Sequence, residues 1–417
     1  MTVIGRSELA LYKNMVLSET DGGENCLEGI RKALIHLDEI HHVCVDQTGW
    51  LIARLSYQLQ LGAFDEAKET CFLLFERGST EDHLVHGAYM CALLKCDRET
   101  CVEVEKMKGM GTLATLRPLS DEERTLLLHA YGNADSTAAA VTANGDSGGS
   151  IAKESLAKTY PRSAAIKRIY LTILSPSTDE FKLALDKYCQ RQIVKGVPSL
   201  GWDLSSMYLM EEQRTKNISD GESTAATTKV RYALAKDPVD IKSHLVHRLI
   251  VQLVDSYIAS LASNNTFPSD ATTTHPPSTL LWAWYLRSIL HEQAAEYAQG
   301  ITLINKCIEH TPTAVDFYEL KARLLEGGGD IQQAANVIDA GRDLDHQDRF
   351  INNQATQTLL RAGQGEEAKQ RISLFTREEG NPEHNLYDMQ CTWYELELAD
   401  CWRRKGDLGR SLRKYST

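Results

Sequence analysis

Cysteine and histidine are the residues of this 417-residue chain whose spacing could bind a metal ion. The two densest groups are Cys91, Cys96 and Cys101 with His83 and His86, and His41 and His42 with Cys44. Structural zinc sites usually hold the metal with two closely spaced ligand pairs, and neither group has that pattern. No Cys-x-x-Cys pair occurs either. We therefore expect no metal site, and reduced cysteines that pack as small apolar side chains.

Motifs for catalysis are also missing. The sequence has no Gly-x-Gly-x-x-Gly after a strand, no phosphate loop ending in Gly-Lys-Ser/Thr and no Gly-x-Ser-x-Gly turn. His291-Glu292 begins a zinc-protease motif, but Ala295 stands where its second histidine is required. Acidic and basic side chains are numerous, yet no pair stands out from an ordinary solvated helix face. We expect no catalytic residue and no enzymatic activity in this chain.

Charge and hydropathy restrict the partners and the compartment. The 45 Lys+Arg against 57 Asp+Glu give a formal charge of −12, which argues against direct DNA binding. No apolar segment follows a basic start in Met1–Ala10, so we expect no secretory signal. Charged residues interrupt the most apolar stretch, 244–262, which predicts a buried or amphipathic helix rather than a membrane span. These features favour a cytoplasmic protein.

Proline is scarce, with 10 in the chain, and helix interiors exclude proline because it lacks an N–H group. A 34-residue period supports a helical fold. Gly300, Ile304 and Cys307 recur 34 residues later as Ala334, Ile338 and Gly341, and again as Ala368, Ile372 and Phe375. Each set has the spacing of one helix face, with a small or apolar residue at every position.

The helix that precedes each of these sets keeps the same register. Trp284, Ser288 and His291 correspond to Tyr318, Ala322 and Leu325, and to Asn352, Thr356 and Leu359. Gly329 and Gly363 end the preceding helix in the second and third units. Glycine is favoured there because a helix commonly closes with a residue in the left-handed conformation. Two helices per 34 residues are typical of tetratricopeptide repeats. The sequence therefore predicts an all-α fold, a tetratricopeptide-type helical-repeat solenoid.

The composition also predicts domain boundaries. We expect N-terminal helical repeats in 1–132, a flexible insertion in 133–152, a central helical region in 153–262, a linker in 263–279 and tetratricopeptide repeats in 280–417. The insertion is small, polar and glycine-containing, and 213–228 has a similar composition. The linker ends in Pro276-Pro277.

Several short blocks carry a family resemblance. They are Tyr160-Pro161-Arg162, Leu185-Asp186-Lys187-Tyr188, Pro276 through Trp282, Thr311-Pro312-Thr313, Asp348 through Asn352, Phe375 through Glu378 and Met389 through Tyr394. In their order and spacing the chain resembles the auxiliary subunit of the N-terminal acetyltransferase A complex. The resemblance covers nearly the whole chain, but only the middle of the family's longer sequence.

This resemblance implies a non-catalytic scaffold that binds the complex's catalytic subunit, which holds acetyl-CoA, during co-translational N-terminal acetylation. A ribosome contact would come from regions outside this sequence. The resemblance assigns partner contacts to Arg349, Phe350 and Trp393, and we expect Asn352 to be exposed beside them. The residues alone favour Phe350 and Trp393 as core residues between helix pairs, and only the resemblance favours the partner contact.

The family can also hold inositol hexakisphosphate. Gln354 and Gln357 stand where lysines are expected, which leaves Arg349 and Arg361 as weak candidates. Because a polyphosphate needs several converging cations, we expect weakened or absent binding. A different class of function also stays open, namely a peptide-binding tetratricopeptide adaptor unrelated to acetylation.

Overall fold

A computed structural model describes residues 3–20, 27–107, 113–117, 119–132, 155–208, 238–377 and 381–416. Within these ranges the regular structure is helical, and no strand is present beyond the isolated bridge between Phe267 and Asp270. The prediction of an all-α fold is confirmed. The described residues up to Tyr188 form one compact unit, and those from Cys189 onward form a second.

The first unit contains α1 (Val3–Glu19), α2 (Leu27–Ile40), α3 (Gln47–Gln60), α4 (Phe64–Glu76), α5 (His83–Leu94), α6 (Arg98–Lys106), α7 (Leu113–Leu116), α8 (Asp121–Tyr131), α9 (Leu156–Thr159), α10 (Ala164–Ile173) and most of α11 (Asp179–Lys195). The second unit begins with α12, which includes residues 200–208, followed by α13 (Pro238–Ser243), α14 (Leu245–Asn264), α15 (Pro277–Gln293), α16 (Tyr297–His310), α17 (Val315–Gly327), α18 (Ile331–Arg342), α19 (Arg349–Arg361), α20 (Gly365–Ser373), α21 (Pro382–Asp388), α22 (Thr392–Arg404) and α23 (Leu408–Tyr415).

The helix pairs expected from the 34-residue period are present in the second unit. They are α15/α16, α17/α18, α19/α20 and α22/α23, and the helices of each pair pack against each other. Gly329, Gly363 and Gly406 lie at the turns with φ of 91°, 79° and 81°, in the left-handed region where glycine is favoured. Ala295 occupies the same turn position in the first pair, with φ of 54°.

Small residues allow neighbouring helices to approach. Gly300, Ala334 and Ala368 are all buried, as the period predicts. A Cβ atom at Gly300 would lie 2.7 Å from Leu324 Cδ2, and one at Gly341 would lie 2.7 Å from Tyr318 Cβ. These separations are shorter than a carbon–carbon contact allows, so the glycines set the distance between neighbouring helices.

Helix α21 interrupts the series of pairs. It packs against α20 on one side and α22 on the other, while α19 packs directly against α22. Of its residues only Leu386 is buried. The additional helix therefore lies beside the continuous packing of α19 on α22 rather than within it.

The expected linker is folded. Its backbone closes through the His275 N–H, which donates to the Asn265 carbonyl at 2.7 Å. Phe267 is fully buried and its ring lies 4.9 Å from that of Tyr257 on α14 and 4.8 Å from that of His275. The segment is a closed loop between α14 and α15. The expected insertions 133–152 and 213–228 lie outside the described residues.

Helix α14 has the length and apolar composition of a membrane-spanning helix, and 33% of its most apolar window is buried. Val246, Ile250, Val254, Tyr257 and Leu261 form a stripe of buried residues at helical spacing, and α14 packs against α15. The expected amphipathic helix is therefore present.

Candidate partner-binding face

Helix α19 begins with a cap that fixes its first turn. The Asp348 carboxylate accepts hydrogen bonds from the backbone N–H groups of Phe350 at 2.7 Å and of Ile351 at 3.4 Å. Ile351 and Ala355 are fully buried on the inner face. Phe350 does not share this inner face, and the residue is 57% exposed. The interpretation of Phe350 as a core residue is wrong.

Arg349 lies next to Phe350 and is also exposed. Its guanidinium carbon is 5.2 Å from the centre of the Phe375 ring, a cation–π contact between the start of α19 and the chain just after α20. Leu374 precedes Phe375 and is 57% exposed. We call Arg349, Phe350, Leu374 and Phe375 the apolar rim. The rim presents large apolar surface beside a cation.

Asn352 does not belong to this surface. It is 1% exposed, and its side-chain nitrogen donates to the Arg371 carbonyl at 3.1 Å. The expectation that Asn352 is exposed is therefore wrong. A polar side chain at this position of the helix face is accommodated by a hydrogen bond from its amide nitrogen to the Arg371 carbonyl, not by solvent. Its Oδ1 atom has no hydrogen-bond partner in the described part of the chain.

Trp393 lies in the first turn of α22 and is partly buried. It packs against the core cluster that includes Leu359, Leu360 and Leu398, and its ring makes an edge contact with Tyr394 at 6.0 Å. The buried part of the Trp393 side chain therefore supports the packing of α22 on α19, as the core interpretation expects. The rest of the side chain is in contact with solvent.

Arg361 lies at the opposite end of α19 from Arg349. Twelve residues at ~1.5 Å per residue separate the two positions by ~18 Å along the helix axis. The Arg361 guanidinium binds Glu326 at 3.1 Å and Glu397 at 3.0 Å. Burial acts to lower the pKa of Arg361, but the hydrogen bonds to these carboxylates outweigh it and raise the pKa. Arg349 and Arg361 therefore do not converge on one anion.

A partly buried ion-pair network joins α18 and α20. Arg371 on α20 binds both oxygens of Asp339 on α18 at 2.8 Å, and Arg342 binds the same carboxylate at 2.7 Å. Burial alone would raise the pKa of Asp339, but the hydrogen bonds from Arg371 and Arg342 outweigh it and hold the pKa below its ordinary value. The two-point contact fixes α20 against α18.

Two further exposed side chains did not follow from the repeat pattern. Tyr387 at the end of α21 is 53% exposed, and Met389 just after it is 55% exposed. The signal that could have identified them is the short length of α21, since a helix of seven residues can bury few side chains.

The sequence was compared with known protein families. The family model described as N-terminal acetyltransferase A, auxiliary subunit, matches residues 4–233 and 241–417. The chain belongs to this family. The resemblance read from the short sequence blocks is thereby confirmed.

Individual relatives agree with the family. The chain is 34% identical over 262 residues to the N-terminal acetyltransferase A complex auxiliary subunit NAA15 of Arabidopsis thaliana, covering 63% of this chain and 25% of the relative. It is 30% identical over the same length to the mouse N-alpha-acetyltransferase 16, NatA auxiliary subunit, covering 63% of this chain and 26% of the relative. The chain thus spans about a quarter of the curated relatives it matches. Both relatives are named as auxiliary, not catalytic, subunits.

A solved structure shares the fold. The structure titled Naa15/Naa10 bound to HypK-THB superimposes with a TM-score of 0.61 and 24% sequence identity, over 98% of this chain and 48% of that chain. At this identity the match supports the helical-repeat fold of the auxiliary-subunit family.

Proposed function

We propose that this chain is a non-catalytic scaffold that binds and modulates the catalytic subunit of the N-terminal acetyltransferase A complex. Family membership over 4–233 and 241–417 is the observation that carries the proposal. The named relatives are auxiliary subunits of the same complex. Acetyl-CoA would be bound by the catalytic partner, and this chain would supply a docking surface.

The apolar rim is the part of that surface best defined by geometry. An exposed Phe ring beside an Arg combines large apolar area with low conformational cost, and such residues often dominate binding energy in interfaces. The Phe375 contact positions the Arg349 guanidinium, and the cap on Asp348 fixes the Phe350 backbone. Trp393 extends the proposed contact to the neighbouring helix α22 with the part of its ring that stays in solvent.

The other assignments of the proposal have their support in the resemblance. We place the protein in the cytoplasm, with a ribosome contact through regions that this sequence does not contain. Inositol hexakisphosphate is expected to bind weakly or not at all, because Arg361 is engaged by two glutamates and lies ~18 Å from Arg349 along α19. Titration calorimetry with this ligand tests that expectation.

The binding test is co-expression with the catalytic subunit from the same organism, followed by size-exclusion chromatography and acetylation assays on short peptides. Phe350→Ala should abolish co-elution at micromolar concentration and leave the unfolding midpoint unchanged, because the ring is mostly in solvent. Arg349→Glu should weaken binding in the same assay. Leu183→Ala is the matched control, since Leu183 is 55% exposed on α11.

Each result has a distinct meaning. Co-elution of the unaltered proteins with a changed peptide preference supports the auxiliary role. Separate elution of two folded proteins contradicts it for this segment. Unchanged binding by Phe350→Ala places the contact elsewhere on the chain. Trp393→Ala is informative only with its unfolding curve, because loss of the partly buried ring also removes packing between α22 and its neighbours.

A further inference from the structure

Helix α1 presents large apolar side chains to solvent. Leu9, Tyr12 and Val16 are 53%, 61% and 42% exposed. Their spacing of i, i+3 and i+7 places them on one face of the helix, and we call these three residues the α1 stripe. Met15 is exposed beside the stripe. A contiguous apolar surface of this kind is typical of an interaction site.

The opposite face of α1 is held by polar contacts. Ser7 and Asn14 are its buried residues. The Ser7 hydroxyl accepts a hydrogen bond from the Val45 N–H at 2.8 Å. The Asn14 side-chain nitrogen donates to the Ala33 carbonyl at 2.6 Å, and the Tyr57 hydroxyl donates to Asn14 Oδ1 at 2.9 Å. Rotation of α1 would leave these buried groups without partners, so the helix cannot turn its apolar stripe inward.

The packing of α1 on α2 fixes the same orientation. Leu11 and Leu17 are partly buried against the core of the first unit. A Cβ atom at Gly29 on α2 would lie 3.0 Å from the carbonyl oxygens of Leu17 and Ser18, so the two helices approach closely there. The inner side of α1 is therefore occupied within the first unit, and the stripe on its outer side is open to a second molecule.

Charged residues at the edges of the stripe indicate which molecule. In a heptad that places Leu9 and Val16 at position a and Tyr12 at position d, Glu8 takes position g and Lys13 takes position e. Both charged side chains are exposed. Acid therefore lies along one edge of the stripe and base along the other.

These edges distinguish the two ways in which a pair of identical helices can align. In a parallel pair, position g of one helix faces position e of the other, so Glu8 faces Lys13 of the second copy on both sides. In an antiparallel pair, e faces e and g faces g, which would place Lys13 and Arg6 of one copy against the same residues of the other. The charges favour the parallel alignment.

We propose that the α1 stripe docks against the α1 stripe of a second copy of this chain, in a parallel pair with two-fold symmetry. Such a surface is self-complementary, so the assembly closes as a dimer. Helix α1 has 17 residues and is ~25 Å long, so the stripe alone buries less than the ~800 Å² per partner of a standard interface. The dimer is therefore weak and forms at micromolar concentrations.

Sedimentation velocity of the whole chain over a range of micromolar concentrations tests the proposal. The mass should rise from one copy towards two as the concentration increases. Tyr12→Glu should abolish the dimer and leave the unfolding midpoint unchanged, because the residue is mostly in solvent. Leu183→Glu is the matched control on α11, where an equally exposed leucine should be replaced without loss of the dimer.

Charge exchange tests the parallel alignment. Glu8→Lys and Lys13→Glu should each weaken self-association about tenfold, since each turns two attractive contacts into repulsive ones. An equal mixture of the two variants should form a heterodimer with an affinity close to that of the unaltered chain. The double variant should also recover that affinity.

Four results would overturn the proposal. They are a single copy at every concentration, a dimer that survives Tyr12→Glu, equal loss of the dimer in Leu183→Glu, and unchanged self-association of Glu8→Lys. The first result would assign the stripe to a different polypeptide, and the second would place the contact elsewhere on the chain. The third would mean that association is not specific to α1.

Discussion

Ala295 provides the sharpest test of the shared turn between paired helices. It adopts φ of 54° at the position where the later pairs have Gly329, Gly363 and Gly406. A left-handed conformation costs a residue with a Cβ atom about 1–2 kcal/mol. Replacing alanine by glycine also lowers the free energy of unfolding by about 0.4–1 kcal/mol, because the unfolded chain gains conformational freedom. Ala295→Gly should therefore stabilise the protein by about 0.5–1 kcal/mol, and Gly329→Ala should destabilise it by a similar amount.

The environment of Gly329 makes the reverse substitution clean. A Cβ atom built there meets no atom within 4 Å, so the expected loss is conformational and not steric. Gly363→Ala should behave alike, because the nearest atom is Lys405 Cε at 3.5 Å, an ordinary contact. If Ala295→Gly and Gly329→Ala change the free energy of unfolding by similar amounts with opposite signs, the effect comes from the backbone conformation and not from packing.

The assay is urea unfolding followed by circular dichroism, with the free energy of unfolding from linear extrapolation. Ala259→Gly is the matched control, since Ala259 is exposed in the interior of α14. The same chemical change should there cost about 1 kcal/mol, because glycine is unfavourable inside a helix. If Ala295→Gly destabilised the protein as Ala259→Gly does, the assignment of Ala295 to the left-handed turn would be refuted.

Three further substitutions or conditions have defined outcomes. Gly341→Ala should destabilise the protein by about 1–3 kcal/mol in urea unfolding, because the new methyl would lie against Tyr318 Cβ, which cannot move without its backbone. Arg361→Met should cost less than about 1 kcal/mol, since its side chain is 40% exposed and such ion pairs contribute little. Lowering the pH from 7 to 5 should destabilise the protein through His247. Burial, and next Arg287, lower the pKa of His247 to about 4, so between pH 6.5 and 4 the unfolded state binds the proton and the folded state does not. At pH 5 this costs about 2 kcal/mol.

The three outcomes have separate controls. Equal stability of Gly341→Ala and the unaltered chain would mean that the two helices are not in close contact there. A large drop in the free energy of unfolding of Arg361→Met would mean that Glu326 and Glu397 are less exposed to solvent than they are in the structure. For the pH effect, His247→Asn should show a shallower dependence between pH 6.5 and 4, and an unchanged dependence would assign it to other groups.

Sequence reasoning located the repeats because their register depends on a few unusual residues. Small residues and turn glycines are sparse, so Gly300, Ala334 and Ala368 at equal spacing identify the helix pairs without a structure. The first unit has no such period, because its helices are held by an irregular set of large side chains such as Trp50 and Phe75. Their individual bounds could not be read from spacing.

The site was predicted less completely than the fold. Phe350 was assigned correctly to the surface by the family resemblance, whereas Asn352 was not, because a polar residue was equated with exposure. Its burial depends on the Arg371 carbonyl, which is 19 positions away and invisible to a local pattern. Likewise, the two glutamates that engage Arg361 lie 35 and 36 positions away. Long-range partners of this kind are set by the stacking of helices.

The position of α21 has an evolutionary consequence. Because α19 packs directly on α22, the intervening segment can change in length or composition without altering the spacing of the paired helices. We expect related chains to differ in size between the residues equivalent to Ser373 and Thr392, and to keep a constant interval between Ala295 and Gly363. Selection can thus act on a short displayed segment while the scaffold on either side remains unchanged.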